Sequence, residues 1–294
     1  MNFNAWILAV RPKTLPAAIA PVFIGTGMAF GDGAMHLPSA LAAVIGAIMI
    51  QIATNLVNDY CDFKKGVDTK DRVGPIRVTQ AGLIAPNVVL MGAVVSFCLA
   101  MLAAACLIHR AGLVILVIAI ASILSGIFYT AGKRPLGYIG LGEAFVFIFF
   151  GPVAVAGTYY VQTLDMNWAV VAAGLAPGFL STAILAVNNL RDMEGDRRSG
   201  KMTLAVRFGR GFACGEYVAC IMGAMVTPFI VNLISNDHQG VAAAAIVGFI
   251  AIPFIKTVYT SLDGKVLNSL LAKTGQLLVI YSILFSTGWI LCSR

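Results

Sequence analysis

Two short polar stretches carry residue types and spacings that suit chemistry. The first reads Asn55-Leu56-Val57-Asn58-Asp59-Tyr60-Cys61-Asp62, with Asp68 and Asp71 close behind. The second reads Asn188-Asn189-Leu190-Arg191-Asp192-Met193-Glu194-Gly195-Asp196. Together they hold most of the chain's 13 acidic residues. On a continuing helix, Asn188, Asp192 and Asp196 stack on one face, and the spacing of Asn55, Asp59 and Asp62 does the same. Carboxylates at a helix C-terminus oppose the macrodipole and repel one another, so something cationic must offset them. Nearby Arg and Lys side chains are one candidate, and a divalent metal is the other. Oxygen ligands without His or Cys suit Mg²⁺, which takes one or two carboxylates and completes its shell with water and substrate phosphates. The interleaved basic residues Arg72, Arg77, Lys133, Arg191 and Lys201 would then meet phosphate oxygens. Acid, metal, phosphate and base in that order describe a diphosphate site. A solvated loop with ordinary ion pairs would account for one such cluster, but less well for two built alike.

The elements that must position these stretches are apolar. The chain has 294 residues, of which 59% are hydrophobic and only 11% charged. That excludes a soluble enzyme, a disordered chain and a nucleic-acid-binding domain, despite a formal net charge of +7. A helix needs roughly 20 mostly apolar residues to cross the hydrocarbon core. Nine such runs fall at 14–31, 39–58, 88–108, 112–131, 139–161, 168–188, 212–234, 240–260 and 275–292. The expectation is an all-α polytopic membrane protein, a single transmembrane domain over residues 1–294 with nine helices around a central cavity. Pro16, Pro21, Pro152, Pro177, Pro228 and Pro253 fall inside these runs, where neighbouring helices can satisfy the freed carbonyls. Trp6 and Phe3, ahead of the first run, suit an interfacial anchor.

Charge sorts the two sides. Arg11 and Lys13 precede the first run, and basic clusters follow runs two, four, six and eight. Of the 20 Lys and Arg residues this leaves only Arg110 and Arg294 for the other side. The positive-inside rule then puts the N-terminus and both acidic stretches on the cytoplasmic side of the plasma membrane and the C-terminus outside. The six cysteines form no C-x-x-C pair, and His36, His109 and His238 all fall at outer loops. No Walker loop or G-x-S-x-G is present. Runs two and four match six and eight in spacing, with Tyr129 answering Tyr259, as in parallel repeats that place a site between halves.

Asn55-x-x-x-Asp59-x-x-Asp62 and Asn188-x-x-x-Asp192-x-x-x-Asp196 resemble the two Asp-rich motifs of the UbiA superfamily of intramembrane prenyltransferases. Within it, the branch acting on 1,4-dihydroxy-2-naphthoate fits best. The strings that carry this are Arg11-Pro-Lys-Thr-Leu-Pro16, Asn55-Leu-Val-Asn-Asp-Tyr60, Lys65-Gly-x-Asp68, Asp71-Arg-x-Gly-Pro-x-Arg77, Pro135-Leu-Gly-Tyr-Ile-Gly-Leu-Gly142 and Asn188-Asn-Leu-Arg-Asp192. The resemblance implies that Asn55, Asp59, Asp62, Asn188, Asp192 and Asp196 hold Mg²⁺ against a polyprenyl diphosphate. It implies that Arg72, Arg77, Lys133 and Lys201 grip the diphosphate oxygens, and that Tyr129 lines the reacting centre beside the catalytic Asp59 and Asp192. Where the superfamily often has a third acid in the first motif this chain has Gly66, with Asp68 as the substitute. The implied reaction ionises the allylic C–O bond in a cavity shielded from water, and the electron-rich ring then attacks with loss of CO₂. A UbiA-type enzyme with another acceptor, such as 4-hydroxybenzoate, is the nearest alternative. A transporter for an organic anion is a more distant one, because the acids gather at helix ends and the mid-span regions carry almost none.

Overall fold

A computed structural model describes residues 3–67 and 74–292. The described residues are helical with short connections. Helix α1 (Phe3–Val10) is followed by a turn at Arg11, whose φ of 55° is left-handed, and by a 3₁₀ turn over Pro12–Thr14. The chain continues through α2 (Leu15–Gly31), α3 (Leu37–Lys64), α4 (Pro86–Ala111) and α5 (Leu113–Phe128). Next come α6 (Gly142–Phe149), α7 (Pro152–Thr163), α8 (Trp168–Ala173), α9 (Leu175–Arg198) and α10 (Leu204–Ser235). After a 3₁₀ stretch over Gln239–Ile246 the short α11 (Val247–Ile250) and α12 (Ile252–Thr260) lead into α13 (Gly264–Cys292).

The protein is a polytopic membrane protein. Among the described residues, eight helical units are long and apolar enough to cross a bilayer: Phe3–Gly31, Leu37–Lys64, Pro86–Ala111, Gly142–Thr163, Trp168–Arg198, Leu204–Ser235, Gln239–Thr260 and Gly264–Cys292. Leu113–Phe128 is apolar throughout but only 16 residues long, short of the roughly 20 of a straight crossing. The nine expected runs therefore fall on eight full-length units and one shorter helix. Three of the prolines expected inside spans instead begin helices: Pro16 in α2, Pro152 in α7 and Pro253 in α12. There the missing N–H leaves no unmade hydrogen bond.

Two features of the packing set up the site. Burying polar side chains between helices requires partners, and the α1–α2 junction supplies them to α3. The Asn55 Nδ2 donates to the Val10 carbonyl and to the Thr14 hydroxyl, both at 3.0 Å, and Gln51 Nε2 donates to the same hydroxyl at 3.1 Å. The second feature is a crossing of broken helices. A β-carbon at Gly174 would stand 2.5 Å from Pro152 Cα, and one at Gly178 would stand 2.7 Å from the Phe147 carbonyl oxygen. Only glycine lets the α6–α7 break lie this close to the α8–α9 unit, and the contact brings the start of α6 to the polar end of α9.

At the far end of the bundle Asp32 accepts from the Tyr159 hydroxyl at 2.6 Å and from Trp289 Nε1 at 2.8 Å. These bonds tie α2, α7 and α13 together. Arg110 donates through Nε and Nη2 to the carbonyls of Val161 and Gln162, both at 2.9 Å, closing the end of α7. All six cysteines are free.

Candidate active site

A cavity of about 400 Å³ opens among the helices, polar at one end and apolar along the rest. That size is in the range of small-molecule sites. Asn55, Asn58, Asp62, Asn188, Asp192 and Asp196 line it, with Arg77, Lys201 and Tyr129. The two acidic stretches, far apart in sequence, thus face one space. Its apolar wall includes Ala18, Val22, Ala47, Ile118, Phe149 and Val153.

Asp62 is held by three side chains. It is 2% exposed. Its Oδ2 accepts from Arg77 Nη2 at 3.1 Å and from Lys201 Nζ at 3.2 Å, and its Oδ1 accepts from the Tyr138 hydroxyl at 2.5 Å. Two ammonium groups, Lys65 Nζ and Lys201 Nζ, each lie 4.7 Å from the centroid of the Tyr138 ring. Lys65 also donates to the carbonyls of Thr130 and Gly132, at 2.6 and 3.2 Å. Lys201 reaches the cavity because the chain reverses after α9 through Gly200, at φ 76°, with Lys201 N bonded to the Asp196 carbonyl and Met202 N to the Tyr138 carbonyl.

Asp59 has a different occupation. Its Oδ2 accepts from Val78 N and its Oδ1 from Thr79 N, both at 3.1 Å, and the Thr79 hydroxyl also bonds to Oδ1. It is buried and does not line the cavity. Its carboxylate pins the turn that holds Arg77 beside Asp62. The cavity-facing positions of this stretch are Asn55, Asn58 and Asp62. Successive helix positions diverge by about 100°, and here Asn58 turns to the cavity while Asp59 turns to the 77–79 segment. Asn58 was missed in the sequence, although Asn58-x-x-x-Asp62 repeats the spacing of Asn188-x-x-x-Asp192. Its Oδ1 accepts from the Thr130 hydroxyl. Asn55 lines the cavity, but its amide nitrogen is committed to the α1–α2 junction.

On α9, Arg191 is buried and serves the acids. Its Nε and Nη2 form a fork on Asp192, at 2.8 and 2.7 Å, while Nη2 also donates to Asn188 Oδ1 at 2.8 Å and Nη1 to Asn268 Oδ1 at 3.1 Å. This geometry fixes both side chains. Arg191 does not itself line the cavity, so it positions Asn188 and Asp192 where the spacing suggested a phosphate contact.

Tyr129 lies one residue past the end of α5 and packs on two glycines. A β-carbon at Gly137 would sit 2.9 Å from its ring, and one at Gly142 would sit 2.9 Å from its hydroxyl oxygen. Burial pushes its phenol above the usual range, and the carboxylates of Glu143, Asp196 and Asp62 add to the effect. The group is a neutral hydroxyl. Lys133 does not join it. The helix stops at Phe128 and the chain turns at Gly132, φ 88°, so residues four apart no longer stack. Lys133 is exposed and outside the lining. Tyr259, expected as the counterpart of Tyr129, is 53% exposed and away from the cavity. Arg72, Asp68 and Asp71 lie outside the described residues.

Among the described residues no three acidic, His or Cys side chains converge on one point. The acids stand on two walls of the cavity, each wall supplying one or two carboxylates with an amide. That donor set fits Mg²⁺ held partly by protein and partly by the oxygens of a bound diphosphate. It does not fit a closed all-protein cage.

An all-helical membrane fold with facing acid–amide clusters at the mouth of an apolar cavity defines a class: an integral membrane protein built to handle an amphiphilic phosphate ester. Residues 18–290 match the model of the UbiA prenyltransferase family, and the chain belongs to that family. It is 36% identical over 291 residues to the 1,4-dihydroxy-2-naphthoate octaprenyltransferase of Escherichia coli K12, covering 97% of this chain and 94% of that protein. It is 37% identical over 286 residues to the enzyme of the same name from Mycobacterium tuberculosis, covering 96% and 95%. The structure of a UbiA homolog from Archaeoglobus fulgidus bound to GPP and Mg²⁺ superposes with a TM-score of 0.70 at 17% identity, covering 97% of this chain and 99% of that one. That likeness bears on the fold.

Proposed function

We propose that the protein transfers a polyprenyl group from polyprenyl diphosphate to 1,4-dihydroxy-2-naphthoate, releasing diphosphate and CO₂ and giving demethylmenaquinol. The observation that carries the reading is the single cavity faced by Asp62 from α3 and by Asp192 and Asp196 from α9, in a chain related along nearly its whole length to enzymes of that name.

Each group has a part. Asp62, Asn58, Asn188, Asp192 and Asp196 are the residues to hold Mg²⁺ with the diphosphate, the first two on one wall and the rest on the other. When bound, the metal supplies electrostatic stabilisation of the leaving diphosphate. Lys201 and Arg77, now on Asp62, are within reach of the same space and would bond to phosphate oxygens as charge develops there. The apolar wall keeps water from the allylic cation. Tyr129, neutral and beside the start of α6, turns its phenol towards the centre without offering a nucleophilic oxyanion. The ring carbon bearing the carboxylate forms the new bond to the allylic carbon, and the carboxylate departs as CO₂. The protein acts as a single domain over residues 1–294. The segregation of Lys and Arg supports a plasma-membrane orientation with the N-terminus and the polar mouth on the cytoplasmic side and the C-terminus outside.

The test is an acceptor competition in membranes containing the protein, with Mg²⁺, a polyprenyl diphosphate, and equal 1,4-dihydroxy-2-naphthoate and 4-hydroxybenzoate. Prenylated naphthoquinone, identified by mass, is expected; prenylated hydroxybenzoate as the main product would contradict the acceptor assignment.

A further inference from the structure

Glu143 is a buried acid that none of the diphosphate chemistry uses. It lies in the first turn of α6 and is 6% exposed. Its Oε1 accepts from Asn189 Nδ2 on α9 at 2.7 Å. Asn189 is itself 7% exposed, yet it lines the cavity. A side-chain amide has one donating and one accepting end. A carboxyl oxygen accepts, and so it holds the nitrogen end of Asn189 and leaves the carbonyl end for elsewhere. That carbonyl oxygen takes no hydrogen bond among the described residues and is not enclosed by them. The bond therefore orients an otherwise ambiguous amide and leaves a hydrogen-bond acceptor available to the cavity.

The surroundings say what kind of group it would meet. The same helix that carries Glu143 lines the cavity with Phe145 and Phe149, Phe150 follows at its end, and Gly142 lies against the hydroxyl of Tyr129. An acceptor atom beside aromatic walls suits the hydroxyl of a flat arene. It does not suit a diphosphate, which brings only acceptors of its own. Arg77 and Lys201, the donors suited to phosphate, gather instead at Asp62.

Resting on the functional reading above, we propose that Asn189 binds a ring hydroxyl of the aromatic acceptor through its Oδ1, and that Glu143 is the positioning residue that fixes the amide in that sense. The arrangement selects for a phenol able to donate and against its ether, since a buried acceptor left unpaired costs more than a bond gained. Glu143→Gln removes the selection, because glutamine can donate as well as accept and lets Asn189 turn either way.

The test measures equilibrium binding of 1,4-dihydroxy-2-naphthoate to purified protein without metal or donor, together with KM for both substrates. Wild type, Asn189→Leu, Glu143→Gln and the double variant are compared. Acceptor affinity is expected to fall about tenfold in Asn189→Leu and by a smaller factor in Glu143→Gln. The double variant should match Asn189→Leu alone, the signature of a residue acting through another. Donor KM should stay unchanged. The wild type should also bind the 1,4-dimethyl ether about tenfold more weakly than the parent, a preference lost in Asn189→Leu. Unchanged acceptor affinity in a variant that melts at the wild-type temperature would overturn the assignment, as would additive losses in the double variant. If Asn189→Leu does not fold, equal wild-type affinity for phenol and ether overturns it. A wild type that makes no prenylated naphthoquinone refutes the functional reading; one that makes it while failing these comparisons refutes only the assignment.

Discussion

The carboxylate of Asp59 accepts the backbone N–H groups of Val78 and Thr79, both at 3.1 Å, and so fastens the turn after residue 73 to the end of α3. One residue before Val78, Arg77 then reaches Asp62. Two aspartates three residues apart on one helix thus divide the work. Asp59 builds the wall of the site, and Asp62 faces into it.

This division predicts different phenotypes. Asp59→Ala strands two buried amides, at a cost of about 1–3 kcal/mol, and should lower the melting temperature by several degrees along with activity. Asp62→Asn removes the charge that pairs with Arg77 and Lys201, so it too should melt lower, but it should lose turnover by at least about 100-fold at temperatures where it is fully folded. Thermal melts beside turnover numbers separate them. Similar melting temperatures and similar residual activities for both would contradict the division.

The second wall gives a direct loss-of-function pair. Asp192→Asn removes a cavity carboxylate and also breaks the fork from Arg191, so turnover should fall by about 100-fold or more. Asp165→Asn, exposed and outside the lining, should leave kcat within about twofold of wild type. The check is initial-rate assays at saturating substrates.

The two lysines expected to grip diphosphate part company in the structure. Lys201→Ala should raise donor KM and lower kcat by about tenfold or more. Lys133 is exposed and off the cavity, so Lys133→Ala should alter neither by more than about twofold. A donor titration decides between them.

Tyr129 depends on the small residues beneath it. Gly142→Ala places a carbon 2.9 Å from its hydroxyl oxygen, so the ring must shift. A displacement of that kind should cut kcat by about tenfold or more. Donor binding should survive, because the mouth of the cavity is untouched. Pre-steady-state turnover alongside donor binding reads this out.

Much of this architecture was legible in the chain. Apolar runs of crossing length marked the helices, because a membrane demands continuous hydrophobicity and internal backbone bonding. The second acidic stretch was read correctly as one face, since Asn188, Asp192 and Asp196 all line the cavity. The first was only half legible. Spacing of three and four suits both Asn55-Asp59-Asp62 and Asn55-Asn58-Asp62, and only the packing of the 77–79 turn onto Asp59 decides which set faces inward. Lys133 was misplaced because a motif carries no sign of where a helix stops. Glu143 and Asn189 were hidden for another reason. They are 46 residues apart and meet only through the glycine-lined crossing of two broken helices, a contact no local pattern encodes.

Metal removal gives a further prediction. Chelation with EDTA should abolish turnover and added Mg²⁺ should restore it, whereas the melting temperature should change little. Asp62 and Asp192 already have cationic partners in Arg77, Lys201 and Arg191, so the fold does not depend on metal to neutralise them. Full activity in the presence of chelator would contradict the donor-set argument.

The most direct test of the account uses 1,4-dihydroxy-2-naphthoate labelled in its carboxyl group, supplied with Mg²⁺ and polyprenyl diphosphate to the purified protein in lipid. Labelled CO₂ should appear one-for-one with prenylated naphthoquinone and diphosphate, and only when the donor is present. A prenylated product that keeps the label, or labelled CO₂ released without donor, would contradict it.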